Sequence, residues 1–277
     1  MLDALAAGAK VLLYAALLGC AGSVFAMATL PRTASLEHYA KWLMQRGALA
    51  TLALAAVSAL LLYFQLGGSG DDPALIAVFA SGRGAALCLQ VVGALLLLVM
   101  PGDSDPRSGI RLSNAALLPA SLAISGHAAT AGLLNAVVVL VHTSAAAWWI
   151  GALLLLRHSW GYDEADGFAA AVAAFSAWAR KVVLALVVAG IVLVATLVGF
   201  STDALLTPYV GLLLLKIMLA SIVLAIANDN RRRLTTRILA GDTGAAAALC
   251  RRIDVELVVI ALVLVVTSLL TSYTAPE

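Results

Sequence analysis

The chain alternates long apolar runs with short polar segments. Each run is about 20 residues long, the length that an α-helix needs to cross a bilayer core of about 30 Å. The runs are uniformly apolar and lack the alternation of membrane β-strands, and backbone groups in lipid must be satisfied within a helix. We therefore predict an all-α, polytopic membrane helix bundle with eight transmembrane helices. The predicted spans are residues 7–29, 47–66, 81–100, 112–130, 135–156, 182–200, 208–227 and 254–272.

Composition supports this fold class. The chain is 63% hydrophobic and 12% charged, about half the charge of an ordinary soluble domain. The loops are too short to fold alone, so we predict a single membrane domain, 1–277, with a weak parallel similarity between halves 1–130 and 131–277. We predict that the N-terminal apolar run is retained as the first span and is not a cleaved signal peptide. No nucleic-acid partner is expected, and any soluble partner would be a separate chain.

Basic residues define the predicted orientation. The loops after the first, third, fifth and seventh spans hold 14 of the 17 Lys and Arg residues, and loops 67–80, 131–134 and 201–207 hold none. The positive-inside rule places the basic loops in the cytoplasm. With eight spans, both termini are then predicted on the outer side, which in a bacterial inner membrane is the periplasm.

Two histidines lie in or beside apolar runs and are the strongest functional signal. An ionisable side chain in lipid is costly and usually faces a protein interior or a pathway. His142 lies roughly 10 Å below the outer surface and His127 about 5 Å below it, on neighbouring antiparallel spans. This spacing is compatible with one metal site shared by both histidines and with two separate metal sites. Imidazole binds copper, zinc, iron and nickel.

Softer metal ligands occur in other spans. Cys88 lies at a depth similar to that of His142, and Met218 lies near the middle of the seventh span. Thiolate and thioether ligands select copper(I), although a buried Cys or Met more often only fills space. The three cysteines indicate no disulfide framework.

A few further residues are candidates for a pathway or a gate. Trp149 lies two helical turns from His142 on nearly the same face. Lys216 and Glu256 are charges within apolar runs, and such charges pair or mark a pathway. Arg252, one turn before Glu256, is the simplest partner for that carboxylate. No HExxH, GxSxG or GxxxxGK[ST] motif is present, so we predict that the protein is not an enzyme.

The connecting segments also allow predictions. Residues 163–181 are predicted to form an interfacial helix that leads into the sixth span. The cytoplasmic segment 228–253 is predicted to hold a basic run, NDNRRR, followed by a small-residue linker, GDTGAAAA.

Several short motifs resemble the CopD copper-resistance family of bacterial inner-membrane proteins, over about residues 120–272. The stretch SGHAATAGLLNAVVVLVHTSAAAWWIGALLLL, from Ser125 to Leu156, is similar to its paired-histidine region. The other matches, in chain order, are Phe175–Ser176, Thr207–Lys216, Asn230–Arg231, Glu256 and Thr267. One departure is Val210, which separates the Tyr and Gly of the family pattern.

This resemblance implies copper transport or copper homeostasis at the inner membrane, with a periplasmic CopC-like copper-binding protein as a possible partner. It makes His127 and His142 the copper-contacting candidates. Glu256, Lys216, Asn230 and Arg231 become structural or gating positions. Neutral imidazole is the ligating form, so copper binding should weaken as pH falls towards about 6.

Two alternatives remain open at this point. His127 and His142 could be the axial ligands of a haem b in an electron-transfer protein. The chain could also be a non-transporting membrane partner of a periplasmic copper chaperone. The direction of transport, the copper oxidation state and the oligomeric state are left open by the sequence.

Overall fold

The computed structural model describes residues 2–68, 72–100, 105, 107–125, 132–197 and 208–272. These residues form helices joined by short turns, and no strand occurs among them. One π-helical turn, Asn230–Thr235, also occurs among these residues. The α-helices are α1 (Leu2–Met27), α2 (Ala34–Gln65), α3 (Asp72–Ala80), α4 (Gly82–Val99), α5 (Gly109–Ala123), α6 (Leu133–Tyr162), α7 (Ala165–Leu197), α8 (Pro208–Asp229), α9 (Thr236–Leu239) and α10 (Thr243–Leu270).

Seven helical stretches of the described residues are long and apolar enough to cross a membrane. They are α1, α2, α4, α6, α7, the continuous stretch Pro208–Leu239 and α10. The protein is therefore an all-helical, multi-pass membrane protein, as predicted. The remaining predicted span, 112–130, is described only as the 15-residue α5, and residues 126–130 lie outside the described residues. The count of eight stays a prediction.

Two helices extend well beyond the predicted spans into the polar segments. Helix α2 begins at Ala34, where the Thr33 side chain accepts a hydrogen bond from the Leu36 N–H at 3.2 Å. Helix α7 runs without a break from Ala165, so the interfacial helix predicted at 163–181 is continuous with the sixth span. Neither stretch contains a proline, and nothing else stops the helix at the end of the apolar run.

Two predicted connections are also helical. The segment GDTGAAAA is not a linker, because Asp242 caps α10 and its four alanines, strong helix formers, belong to the first turns of that helix. The outer loop predicted at 67–80 contains α3. Hydropathy locates apolar runs, and it does not detect helices that continue outside them.

Helices α1 and α6 form the centre of the bundle. Helix α1 packs against α2, α5, α6 and α10, and α6 packs against α1, α2, α5, α7 and α10. The two helices meet at Gly22 and Gly151. A Cβ atom on Gly151 would lie 2.1 Å from the carbonyl carbon of Gly22. Only glycine allows such a close approach, as at many helix crossings in membranes.

The start of α1 and the end of α10 meet at one end of the bundle. The Ser268 hydroxyl donates to the Ala7 carbonyl at 2.8 Å, and the Lys10 ammonium donates to Ser272 Oγ at 3.1 Å. The opposite end of the bundle carries Arg231, Arg232, Arg233 and Arg237, and we call it the basic end.

The cap of α10 should make the start of this helix sensitive to pH. The pKa of Asp242 is held below its usual range, first by the hydrogen bond from the Ala245 N–H and then by Arg237. A lowered folded-state pKa means that the stabilisation is present above the ordinary carboxyl pKa and is lost as pH falls through the lowered value. We expect Asp242→Ala to speed backbone amide exchange at residues 243–246 at neutral pH.

The matched control for the cap is Asp242→Asn, because Asn is an equally good N-cap. It should keep exchange at residues 243–246 close to that of the wild type. Equal exchange in Asp242→Ala and the wild type would contradict the role of the cap.

Candidate functional site

His142 is oriented by a neighbouring helix. It lies half-buried on α6, with its Nδ1 atom 3.2 Å from the Leu186 carbonyl oxygen on α7. A carbonyl oxygen can only accept, so Nδ1 carries the hydrogen and Nε2 keeps a lone pair. Metal-ligating histidines are usually held in this way by a bond from their other ring nitrogen. This hydrogen bond leaves Nε2 of His142 as the ring nitrogen that could act as a ligand.

Lys216 is an electrostatic neighbour of His142. Its ammonium on α8 is close enough to act on the imidazole of α6. Lys216 itself is partly buried in its span, consistent with the expectation that such a deep charge faces protein or water. The sequence had not indicated that these two side chains approach each other.

The structure does not gather the other predicted metal ligands around His142. His127 lies outside the described residues. Cys88 is exposed, and Met218 is 53% exposed, so both side chains point away from the interior of the bundle. In the part of the chain that the structure describes, no three His, Cys, Asp or Glu residues form a group that could hold a metal ion.

A cavity of about 240 Å³ lies at the basic end, between α6, α7, α8, the π-helical turn and α10. Its wall combines aromatic, polar and charged side chains. Those that carry the following argument are Trp149, Phe175, Ser176, Asn230, Arg231 and Glu256. Every one of these residues lies in a stretch that was quoted above for the family resemblance, and Trp149 lies in Ser125–Leu156. Four separate stretches of the chain therefore converge on one cavity.

Glu256 is the most buried charged residue in this cavity. The side chain is 1% exposed, and its Oε1 atom accepts a hydrogen bond from Asn230 Nδ2 at 2.7 Å. Its Oε2 atom has no hydrogen-bond partner among the described residues, and neither does Trp149 Nε1. The indole is near enough to act on the carboxylate, but their geometry falls short of a hydrogen bond. One buried acceptor and one buried donor thus remain available at the cavity wall.

Asn230 links Glu256 to the surface. Its Oδ1 atom accepts from Arg252 Nη1 at 3.1 Å, and Arg252 also pairs with Asp229. The predicted direct pair between Glu256 and Arg252 is therefore wrong, because Asn230 stands between them. Asn230 begins the π-helical turn, whose wider winding changes the direction of side chains relative to α8. Such turns are rare and frequently occur at functional sites.

Aromatic rings form the apolar wall of the cavity. Trp149 meets Phe175 edge to face with ring centroids 5.6 Å apart, and Trp148 stacks on Phe175 at the same separation. Trp149 follows His142 by seven residues, which corresponds to about 10 Å along α6 towards the basic end. His142 and the cavity thus lie along one side of α6.

Sequence reasoning had missed the cavity and, among its polar lining residues, Arg180, Asn228 and Thr235. Ser176 and Arg180 are four residues apart on α7, so they share a helix face. That spacing was the available signal. It could not show which residues of α8, α10 and the π-helical turn complete the cavity.

The fold and the site define a polytopic membrane protein with a largely apolar cavity at the basic end, whose wall also contains a few polar and charged side chains. Residues 169–270 match the CopD family, described as copper resistance protein D. The predicted resemblance is thereby confirmed over these residues, which we call the CopD region. Neither a curated protein nor a solved structure matches the chain.

The match divides the candidate site into two parts. The CopD region contains Phe175, Ser176, Asn230, Arg231 and Glu256, and so supplies most of the cavity wall. His142 and Trp149 precede it on α6. The cavity is therefore the part of the site that belongs to the family match.

Proposed function

We propose that this protein moves copper ions between the periplasm and the cytoplasm of a bacterium and thereby contributes to copper homeostasis or resistance. The proposed role is transport, with no enzymatic reaction. The observation that carries it is the convergence of the CopD-region residues on a cavity with some polar and charged lining residues, which lies along the same side of α6 as His142.

The proposed route begins in the outer half of the membrane. Copper, as the transported ion, would bind Nε2 of His142, with His127 as the second candidate ligand. It would then pass along α6 to the cavity at the basic end. Lys216, Trp149, Asn230, Arg231 and Glu256 would act as pathway or gating positions. The same arrangement serves import and export.

Contacts within the bundle support the proposed topology. The start of α1 and the end of α10 touch at one end of the bundle, which requires an even number of crossings. Seven helical stretches qualify as spans, and α5 would supply the eighth. Together with the clustered arginines at the basic end, this supports eight helices, cytoplasmic basic loops and periplasmic termini in the inner membrane.

A periplasmic CopC-like copper-binding protein remains the proposed partner. It would deliver copper to, or receive it from, the end of the bundle where the termini meet. A membrane partner that binds such a chaperone without moving copper would give binding but no flux in proteoliposomes. Binding without flux would indicate that the protein is a membrane scaffold for the chaperone and does not transport copper.

We expect His142→Ala to remove most copper binding from the detergent-purified protein. The wild type should retain about one copper per chain if the site is mononuclear. Loss of the imidazole should weaken binding by more than about tenfold, since even the outer-shell partners of metal ligands are worth roughly 10–100-fold. Elemental analysis after copper exposure measures the bound metal, and copper flux into proteoliposomes measures transport.

The matched control is His158→Ala, the same change on the same helix. His158 stacks on Tyr39 with ring centroids 3.9 Å apart and is not among the residues that line the cavity. This variant should bind copper like the wild type. Equal copper in wild type and His142→Ala would contradict the proposed site, and iron in place of copper would favour haem b.

A further inference from the structure

We propose that Glu256 is a proton-binding site, and that its proton comes from the basic end through the cavity. The carboxylate is 99% buried, and one oxygen, Oε2, has no hydrogen-bond partner among the described residues. Protonation at Oε2 leaves the bond from Asn230 to Oε1 intact. The carboxyl group can thus change charge without losing its anchor.

The cavity connects this carboxylate to the aqueous phase. Arg180, Asn228 and Arg231 line it and are themselves exposed, so the cavity reaches the surface of the basic end. A volume of about 240 Å³ has room for several water molecules, each of which takes roughly 30 Å³ in the liquid. Polar groups at both its depth and its mouth favour water within it.

The groups around Glu256 favour a proton over a metal ion. Trp149 on α6 directs a donor hydrogen to the neighbourhood of the carboxylate, which opposes a metal ion there and leaves room for a water molecule. Arg180 on α7 and Arg231 on the π-helical turn repel a divalent cation more strongly than a monovalent one. Asn228 and Asn230 are neutral.

The remaining charges near Glu256 are already paired with each other. Arg252, on the same helix, bonds to Asp229 and to Asn230 Oδ1. Asp229 is also paired with Arg233 at 2.7 Å. In the described part of the structure, no cation forms an ion pair with Glu256. A buried carboxylate without a direct cationic partner is the kind of group that takes up a proton.

The step itself is a simple proton transfer. A hydronium ion or a protonated buffer molecule at the basic end loses a proton, and one O–H bond breaks there. A new O–H bond forms on Oε2 of Glu256, which becomes a neutral carboxylic acid. No electron is transferred.

This inference deepens the proposed function, on which its meaning for transport rests. Arg180 and Arg231 present an electrostatic barrier to copper in the cavity, and a carboxylate that alternates between charged and neutral states would lower and raise this barrier, which would couple copper passage to proton movement. The proton site itself can be measured without copper. Failure of copper transport and failure of the proton site are therefore distinguishable.

The test uses the full-length protein in detergent with a metal chelator. Tryptophan fluorescence is recorded from about pH 4 to about pH 9, the range in which carboxyl and imidazole groups titrate. Trp149 should report the charge of Glu256, so we expect a fluorescence step that Glu256→Gln abolishes. Trp149→Phe should remove the same step by removing its reporter. The control Asp254→Asn alters an exposed carboxylate two residues away, paired with Arg157, and should keep the step.

Infrared difference spectroscopy of the wild type gives a second measurement. The carbonyl band of a protonated carboxylic acid should appear at the acidic side of the step and be missing in Glu256→Gln. The proposal is overturned if wild type and Glu256→Gln give the same fluorescence and infrared titrations. A second titration replaces the chelator by copper. If copper abolishes the pH-dependent step, the carboxylate binds a metal ion, and the proposal is also overturned.

Discussion

The Gly151→Ala substitution is expected to destabilise the whole bundle. The added Cβ would lie 2.1 Å from both the carbonyl carbon and the oxygen of Gly22, so the backbones of α1 and α6 must separate. Overpacking a core typically lowers the free energy of unfolding by about 1–3 kcal/mol. Because this clash is with backbone atoms, we expect a loss near or above the upper end of that range. We expect a lower melting temperature and a smaller monodisperse fraction in size-exclusion chromatography.

Gly161→Ala is the matched control, since it makes the same change on the same helix. A Cβ on Gly161 would meet nothing within 4 Å, and alanine favours helix over glycine by nearly 1 kcal/mol. This variant should melt at or slightly above the temperature of the wild type. Equal melting of Gly151→Ala and Gly161→Ala would show that α1 and α6 do not approach as closely as described.

The close crossing also matters for the site. Helix α6 carries both His142 and Trp149, and α1 is one of its main neighbours. A shift of α6 would move the imidazole away from the Leu186 carbonyl that orients it. We therefore expect Gly151→Ala to reduce copper binding even in the fraction that remains folded.

The membrane fold was predictable because lipid allows few alternatives. Uniform apolar runs of about 20 residues must be helices, and the described spans lie where those runs were found. Helix ends were less predictable. The capped start of α2 at Thr33 and the start of α10 at Asp242 depend on local hydrogen bonds, to which hydropathy is insensitive.

The candidate site was predictable only in part, and for a different physical reason. His142 was conspicuous because an imidazole is rare in lipid. For Cys88 and Met218, the sequence could not show whether the side chain faces lipid or the interior of the bundle. A helix that is apolar on every side does not reveal which side faces lipid. Both proved to be exposed.

The partner of Glu256 shows how a local irregularity defeats a spacing rule. Position i−4 predicted Arg252, which would be correct for an isolated helix. The π-helical turn instead brings Asn230 between them, and Arg252 turns to Asp229. The amino-acid sequence contains no signal by which this turn was recognised.

The second large effect is expected from Asn230→Leu. The amide donates to Glu256 and accepts from Arg252, so leucine removes both bonds at once and leaves a buried carboxylate without a partner. Breaking a buried charged interaction from one side costs roughly 3–5 kcal/mol. We expect a large drop in melting temperature at neutral pH. Asn228→Leu, the same change at an exposed position, should have little effect.

The loss caused by Asn230→Leu should itself depend on pH and on Glu256. If Glu256 accepts a proton, acid conditions make the carboxyl group neutral, and the missing bond then costs only about 1–3 kcal/mol. The double variant Asn230→Leu with Glu256→Leu removes both polar partners and should recover much of the lost stability, because the two changes are strongly coupled. A double variant whose loss equals the sum of the two single losses would show that Asn230 and Glu256 act independently, contrary to the network described.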